Sequence, residues 1–180
     1  MPHDDGGLVR LPWYLYALEK TNLIVTSLTA CVVLYTRSAG VAFFALGAVV
    51  CSLTVKIVKR CVRQPRPVVV NGKRKKTYGM PSTHSAVITH YAVYVALACA
   101  YLPIHPSLPA SPALSRVVPV LIVLPLAGTI AVSRIWLGHH TWTQVAAGCA
   151  YGMLFAPLWF KLWTGGLNEY GRILEGMLPV

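Results

Sequence analysis

The sequence predicts an all-α fold: a polytopic membrane helical bundle of about five transmembrane helices plus an N-terminal interfacial or sixth helix. Three observations carry this. Of the 180 residues, 56% are hydrophobic and 12% charged, with a mean hydropathy of +0.58, whereas soluble domains carry roughly 25% charged residues. The apolar residues gather in runs of about 16 to 21, close to the ~20 that a helix needs to cross ~30 Å of hydrocarbon. The breaks between runs hold the Pro, Gly and basic clusters.

In chain order, residues 8–20 (LVRLPWYLYALEK) are aromatic-rich and bounded by Arg10 and Lys20. This composition suits an interfacial helix with Trp13, Tyr14 and Tyr16 at headgroup depth and no catalytic role. Residues 21–36 form a first span and 41–58 a second, separated by the turn Arg37-Ser38-Ala39-Gly40. Lys56, Lys59, Arg60 and Arg63 follow at i, i+3, i+4 and i+7 as a basic stripe at the end of the second helix, a pattern that also suits plain interfacial anchoring. Pro65 and Pro67 then hold Arg66 in extended backbone. The loop to Met80 contains the run Lys73-Arg74-Lys75-Lys76, expected to be solvated near anionic lipid. A third span covers 82–102, with Pro81 in its first turn and the N–H groups of Ser82, Thr83 and His84 as an anion site. His90 is expected to be a hydrogen-bonded core histidine, and His105, in the Pro-rich loop 103–115, to be solvated. A fourth span runs from Arg116 to Ser133, kinked at Pro119 and Pro125. A fifth runs from Gln144 to about Trp163, and a short polar terminus follows. The expected organisation is an N-terminal segment 1–20, a membrane-embedded domain 21–163 and a tail 164–180.

The net charge of +11 raises the question of nucleic acid. Because the cations flank membrane spans, however, the expected partner is acidic lipid or phosphate, not nucleic acid. The five acidic residues are Asp4, Asp5, Glu19, Glu169 and Glu175, so no carboxylate lies between Glu19 and Glu169. A central Mg²⁺ or Ca²⁺ site, a Ser-His-Asp triad and a glycosidase carboxylate pair all require what this stretch lacks. No metal and no cofactor are therefore expected. The five cysteines are odd in number and widely spaced, so they suggest small core residues and neither a disulfide framework nor a zinc site. The first ten residues, MPHDDGGLVR, contain no apolar core, and a cleavable signal peptide is not expected.

The densest polar cluster is 133–144, SRIWLGHHTWTQ. If the chain is helical from Thr141 onward, His140 and Gln144 share a face at i, i+4, and the amide oxygen can accept a ring N–H. That fixes the tautomer and leaves the other ring nitrogen free beside Arg134. An oriented imidazole next to a guanidinium suits attack on phosphorus, although an Arg and a His at a membrane interface can also simply snorkel to headgroups. Five crossings put the N-terminus, the 59–84 segment and the 134–144 segment on one membrane face.

Three pieces of this chain resemble the signature of the type 2 phosphatidic acid phosphatase superfamily, the lipid phosphatases related to vanadium haloperoxidases. Lys59 to Pro67 reads K-x6-R-P, Pro81 to His84 reads PSTH against the family's P-S-G-H, and Ser133 to His140 reads S-R-x5-H. The resemblance covers 59–144. The family pattern has Asp four residues after the second histidine, where this chain has Gln144. Together with GMPSTHS and HTWTQV, that departure resembles the dolichyl diphosphatase branch.

The resemblance implies that His140 is the nucleophile, that His84 is the general acid and then base, and that Gln144 orients His140. It also implies that Lys59, Arg66, Ser82, Thr83 and Arg134 bind phosphate, and that the superfamily's usual six helices include 8–20 as the sixth. The implied substrate is dolichyl or another polyprenyl diphosphate of the endoplasmic reticulum, released during protein N-glycosylation. Phosphatidate or a sphingoid phosphate is the alternative within enzymes. A catalytically silent lipid-binding or scaffold protein is the alternative outside them, disfavoured by the presence of both motif histidines. A vanadate-dependent peroxidase fits poorly because those relatives are soluble. Twelve of the sixteen Lys and Arg residues fall on the site's side, which by the positive-inside rule points to the cytosol. The resemblance instead implies a lumenal site.

Overall fold

The computed structural model describes residues 12–67, 77–104 and 111–177. Leu8 to Leu11, the run Lys73 to Lys76 and His105 lie outside the described residues. Among those described, the chain forms helices and no strands. They are α1 (Trp13–Glu19), α2 (Thr21–Thr36), α3 (Ala39–Val62), α4 (Thr83–Tyr101), α5 (Val118–Trp136), α6 (Trp142–Leu162) and α7 (Asn168–Met177). A π-helical turn, Ala113–Val117, leads into α5, and another, Trp163–Leu167, joins α6 to α7.

Helix α2 coincides with the first predicted span. Helix α3 begins two residues earlier than predicted and continues through the basic stripe to Val62, because Lys and Arg are good helix formers. It stops where Arg63 turns left-handed at φ 53°. Pro119 follows closely on the π-helical turn that leads into α5, and Pro125 is interior to α5. The described helices include three long and apolar enough to cross a membrane, or four when α1 and α2, bent by 65° to one another, count as one span. Leu23, Leu34, Leu53, Leu121, Leu154 and Leu158 are all exposed, which a multi-pass membrane protein satisfies with lipid.

Helix α4 is the axis of the bundle and packs against α3, α5 and α6. Ile88 and Ala92 meet Ala127 and Ile130 of α5; Ala86 meets Cys51 and Val55 of α3; Tyr94 meets Ala156 and Phe160 of α6. The α4–α6 contact is the tightest because Gly148 and Gly152 make a G-x-x-x-G stripe that lets the backbones approach. A Cβ at Gly148 would lie 2.5 Å from the Ser82 carbonyl oxygen, and one at Gly152 would meet the Ala86 carbonyl oxygen and the His90 nitrogen.

His90 is a fully buried core histidine among Phe44, Tyr91, Tyr94 and Phe155, with the Phe44 backbone within reach of its ring. Two expectations need correction. Only Cys51 is a buried core cysteine, whereas Cys31 and Cys61 are exposed. The polar terminus is helical. After Gly166 (φ 132°) breaks the axis, α7 folds back so that Gly171 abuts Trp163 and Glu175 accepts the Ala39 N–H at 2.5 Å, capping α3.

Candidate active site

The polar residues gather at one end of the bundle, and local chain chemistry puts them there. Helix α5 ends in a Schellman turn: Gly138, at φ 66°, donates to the Ile135 carbonyl at 2.8 Å, and His139 N–H returns to the Arg134 carbonyl at 2.9 Å. His140 N–H reaches the same carbonyl at 3.2 Å. The next residue starts α6 with a capping box in which Thr141 Oγ1 accepts from Gln144 N and Gln144 Oε1 accepts from Thr141 N, each at 3.4 Å. Stop and start signals are thus three residues apart, and His140 is pinned between them.

His140 is 3% and Gln144 1% exposed. His140 Nδ1 lies 3.1 Å from Gln144 Oε1, the pairing that the i, i+4 spacing predicts. The roles in that bond are decided by the rest of the amide. Gln144 Oε1 already accepts from Thr141 N–H, and Gln144 Nε2 donates to the Pro65 carbonyl at 2.9 Å and to Gln64 Oε1 at 3.3 Å. A flipped amide would face donor with donor and acceptor with acceptor. Nδ1 therefore carries the proton, and Nε2 presents a lone pair. Burial, and after it the Arg66 charge, pushes the His140 pKa down to about 3 against a small opposing effect of the Gln144 bond. The ring is neutral at physiological pH.

Gln144 also gathers the other segments. Its carbonyl oxygen accepts the Ser82 N–H at 2.9 Å, its side chain holds the Pro65 carbonyl beside Arg66, and Gly79 N–H binds the Gln64 carbonyl at 2.7 Å. A Cβ on Gly79 would lie 2.5 to 2.7 Å from the Gln144 amide, so glycine is what lets that strand of loop pass. Arg134 is 2% exposed and donates to Ser133 Oγ at 3.1 to 3.2 Å and, in a short contact, to the Leu18 carbonyl. The N-terminal segment, expected to play no part in the site, thus supplies a carbonyl that orients Arg134.

Lys59, Arg66, Thr83 and His84 line a cavity of about 780 Å³ that runs down between α2, α3 and α4. Arg134, His140 and Gln144 do not line it. Gln144 ties that group to the lining, through its bonds to the Pro65 carbonyl beside Arg66 and to the Ser82 N–H beside Thr83. Arg66 Nε is buried and makes no hydrogen bond among the described residues.

Ser82 also has a structural task. It is the N-cap of α4, fully buried, with its N–H taken by Gln144 and its hydroxyl shared by Ser85 N and Ser85 Oγ at 3.4 and 2.9 Å. The helix starts after it, so Pro81 precedes the cap and does not occupy the first turn. Gln64, Gly79 and Leu18 are the structural partners that the motifs do not flag. Gln64 and Gly79 act through a long-range fold, and Leu18 through a backbone atom. No group of three or more His, Cys, Asp or Glu among the described residues is placed to hold a metal ion.

Five long helices with a cationic, histidine-bearing end define a family. The PAP2 superfamily model matches residues 38–165, and the chain belongs to that superfamily. It is similar to Dolichyldiphosphatase 1 of Dictyostelium discoideum, 29% identical over 77% of this chain and 56% of that one. Against Dolichyldiphosphatase 1 of Homo sapiens it is 36% identical over 58% of this chain and 44% of that one. Lipid phosphate phosphatase gamma of Arabidopsis thaliana is 29% identical over 79% and 62% respectively. The chain thus spans about half the length of the curated relatives it matches. In fold it resembles the transmembrane PAP2-type phosphatidylglycerolphosphate phosphatase of Bacillus subtilis, with a TM-score of 0.62, 20% identity, and coverage of 91% of this chain and 80% of that one.

Proposed function

We propose that this protein is a metal-independent lipid phosphatase of the endoplasmic reticulum membrane. It hydrolyses dolichyl or another polyprenyl diphosphate to the monophosphate and inorganic phosphate, with its site toward the lumen and in support of protein N-glycosylation. The membrane-embedded domain 21–163 carries the reaction, flanked by segments 1–20 and 164–180. The observation that carries the reading is the fixed Gln144 amide, which makes His140 Nε2 a bare, oriented nucleophile among cations.

In the first step His140 Nε2 attacks the terminal phosphorus. The bond to the bridging oxygen breaks, and His84 donates a proton to that oxygen as the lipid monophosphate leaves. In the second, His84 takes a proton from water as the water oxygen attacks the phosphohistidine, releasing inorganic phosphate and restoring both histidines. Lys59, Arg66, Arg134 and the N-terminal end of α4 at Thr83 stabilise the phosphoryl oxygens. Ser82, as the buried cap, holds Thr83 and His84 in position.

The amide at 144 has a second use that a carboxylate lacks. Its Nε2 donates to Pro65 O and Gln64 Oε1, both acceptors, so Gln144→Glu sets oxygen against oxygen and releases the Arg66 segment. This variant is expected to lose about 10- to 100-fold in kcat at neutral pH, the scale of leaving one or two buried acceptors unpaired. Equal or higher turnover would show that the tether is dispensable.

Phosphate release by purified protein in detergent with EDTA, from dolichyl diphosphate and phosphatidate side by side, tests the reading. Release from the diphosphate that survives EDTA supports it. Preference for phosphatidate would favour the second reading, which the similarity to a lipid phosphate phosphatase supports. Release from neither would favour a silent lipid-binding protein.

A further inference from the structure

The catalytic machinery uses only part of the polar lining of the cavity. Lys59, Arg66, Thr83 and His84 form its end. Beyond them the lining comes from α2, with Asn22, Thr26 and Thr29, and from α3, with Val49, Ser52 and Lys56. Lys56 is three residues from Lys59, on the same helix face and about 4.5 Å further along the axis. A lipid reaching the histidines with its chain in the apolar part must lie against Asn22 and Lys56 on the way.

No carboxylate occurs between Glu19 and Glu169, and Glu19, three residues before Asn22, bears by its charge on Arg134. The charge of Lys56 and that of Arg66 both bear on Lys59. Three cations on one wall beside hydrocarbon are mutually repulsive until an anion joins them. One terminal phosphate at the histidine end accounts for Lys59 and Arg66. A second phosphate, joined to the first through a single oxygen and lying toward the lipid chain, accounts for Lys56.

We propose that Lys56 and Asn22 form a second phosphate subsite that takes the proximal phosphate of a lipid diphosphate, so that the cavity discriminates diphosphates from monoesters. This rests on the lipid-phosphatase reading of the same site. Lys56 donates charge-assisted hydrogen bonds to the proximal phosphoryl oxygens from α3, and the Asn22 amide donates from α2. The proximal phosphate also remains on the leaving group, so the subsite binds it before and after cleavage. A monoester has only one phosphate to offer, and the second subsite then contributes nothing to its affinity.

The test is direct binding to the full chain in detergent, measured by calorimetry with two non-hydrolysable probes of equal chain length, a polyprenyl methylenebisphosphonate and the polyprenyl phosphonate. Wild-type protein is expected to bind the bisphosphonate at least about tenfold more tightly. Lys56→Gln is expected to erase most of that difference, Asn22→Ala to reduce it, and Lys56→Arg to retain it. Lys56 and Asn22 are both exposed at the helix surface, so the variants are expected to fold. A wild-type protein without preference, or a Lys56→Gln protein that keeps it, overturns the subsite. Because the readout is affinity, its failure is distinct from failure of the hydrolysis reading, which shows as absence of phosphate release from the wild-type protein.

Discussion

His140→Ala is expected to lower phosphate release by on the order of 10⁴-fold or more, the scale of removing a nucleophile from a site whose other groups act with it as a unit. The fold should survive. The ring makes one side-chain hydrogen bond, to Gln144 Oε1, and that oxygen still accepts from Thr141 N–H. The loss in stability is therefore about 1 kcal/mol, together with a small cavity. Phosphate release and elution of the detergent-solubilised protein, measured on the same preparation, separate the two effects. Wild-type-like release from a well-folded His140→Ala protein would leave His140 a structural residue.

The second large effect concerns the scaffold. Gly152→Val is expected to destabilise the bundle by about 3 kcal/mol or more, at the upper end for overpacking. The atoms that a Cβ meets there are the Ala86 carbonyl and His90 nitrogen of α4, with Thr89 Cβ at 2.9 Å, and backbone cannot step aside as a side chain does. Gly128, inside α5, has nothing within 4 Å of its Cβ position, so Gly128→Ala should stabilise the helix by about 0.5 to 1 kcal/mol. Thermal unfolding of both variants in one detergent tests the contrast. Because α4 carries His84 and α6 carries Gln144, activity should fall together with the Gly152→Val transition.

The helices were legible because the apolar runs and their Pro, Gly and basic breaks are local signals. The pairing of His140 with Gln144 was legible for the same reason, as both belong to one turn at the start of α6. The second half of Gln144's work was not. Its bonds to Pro65 and Gln64 cross 79 and 80 residues of chain, and nothing local to either partner announces them. Likewise, Arg134 reaches the Leu18 backbone across 116 residues, so the aromatic composition of the N-terminal segment suggested anchoring and hid its part in the site. Ser82 has a task that the motif did not announce: its oxygen caps α4 by accepting from Ser85, while its own O–H is not used in those bonds. The G-x-x-x-G of Gly148 and Gly152 is a visible sign of close helix packing, but its partner helix becomes known only once α4 is seen at the centre. The tail looked polar because α7 keeps its apolar residues, Tyr170, Ile173, Leu174 and Met177, exposed, at helical spacing among charged ones.

The central claim is that His140 Nε2 becomes covalently bonded to phosphorus. The most direct measurement is mass spectrometry of purified protein quenched in alkali, where phosphohistidine persists, within the first turnovers of dolichyl diphosphate in EDTA. The account predicts one phosphoryl group on His140, reduced in Gln144→Glu protein to the extent that its rate falls, and in His84→Ala protein formed more slowly but longer-lived once formed, because the acid of the first step and the base that activates water are the same residue. Hydrolysis that proceeds at the wild-type rate with no label on His140 at any time, or with label on His84 or His139 instead, would contradict it.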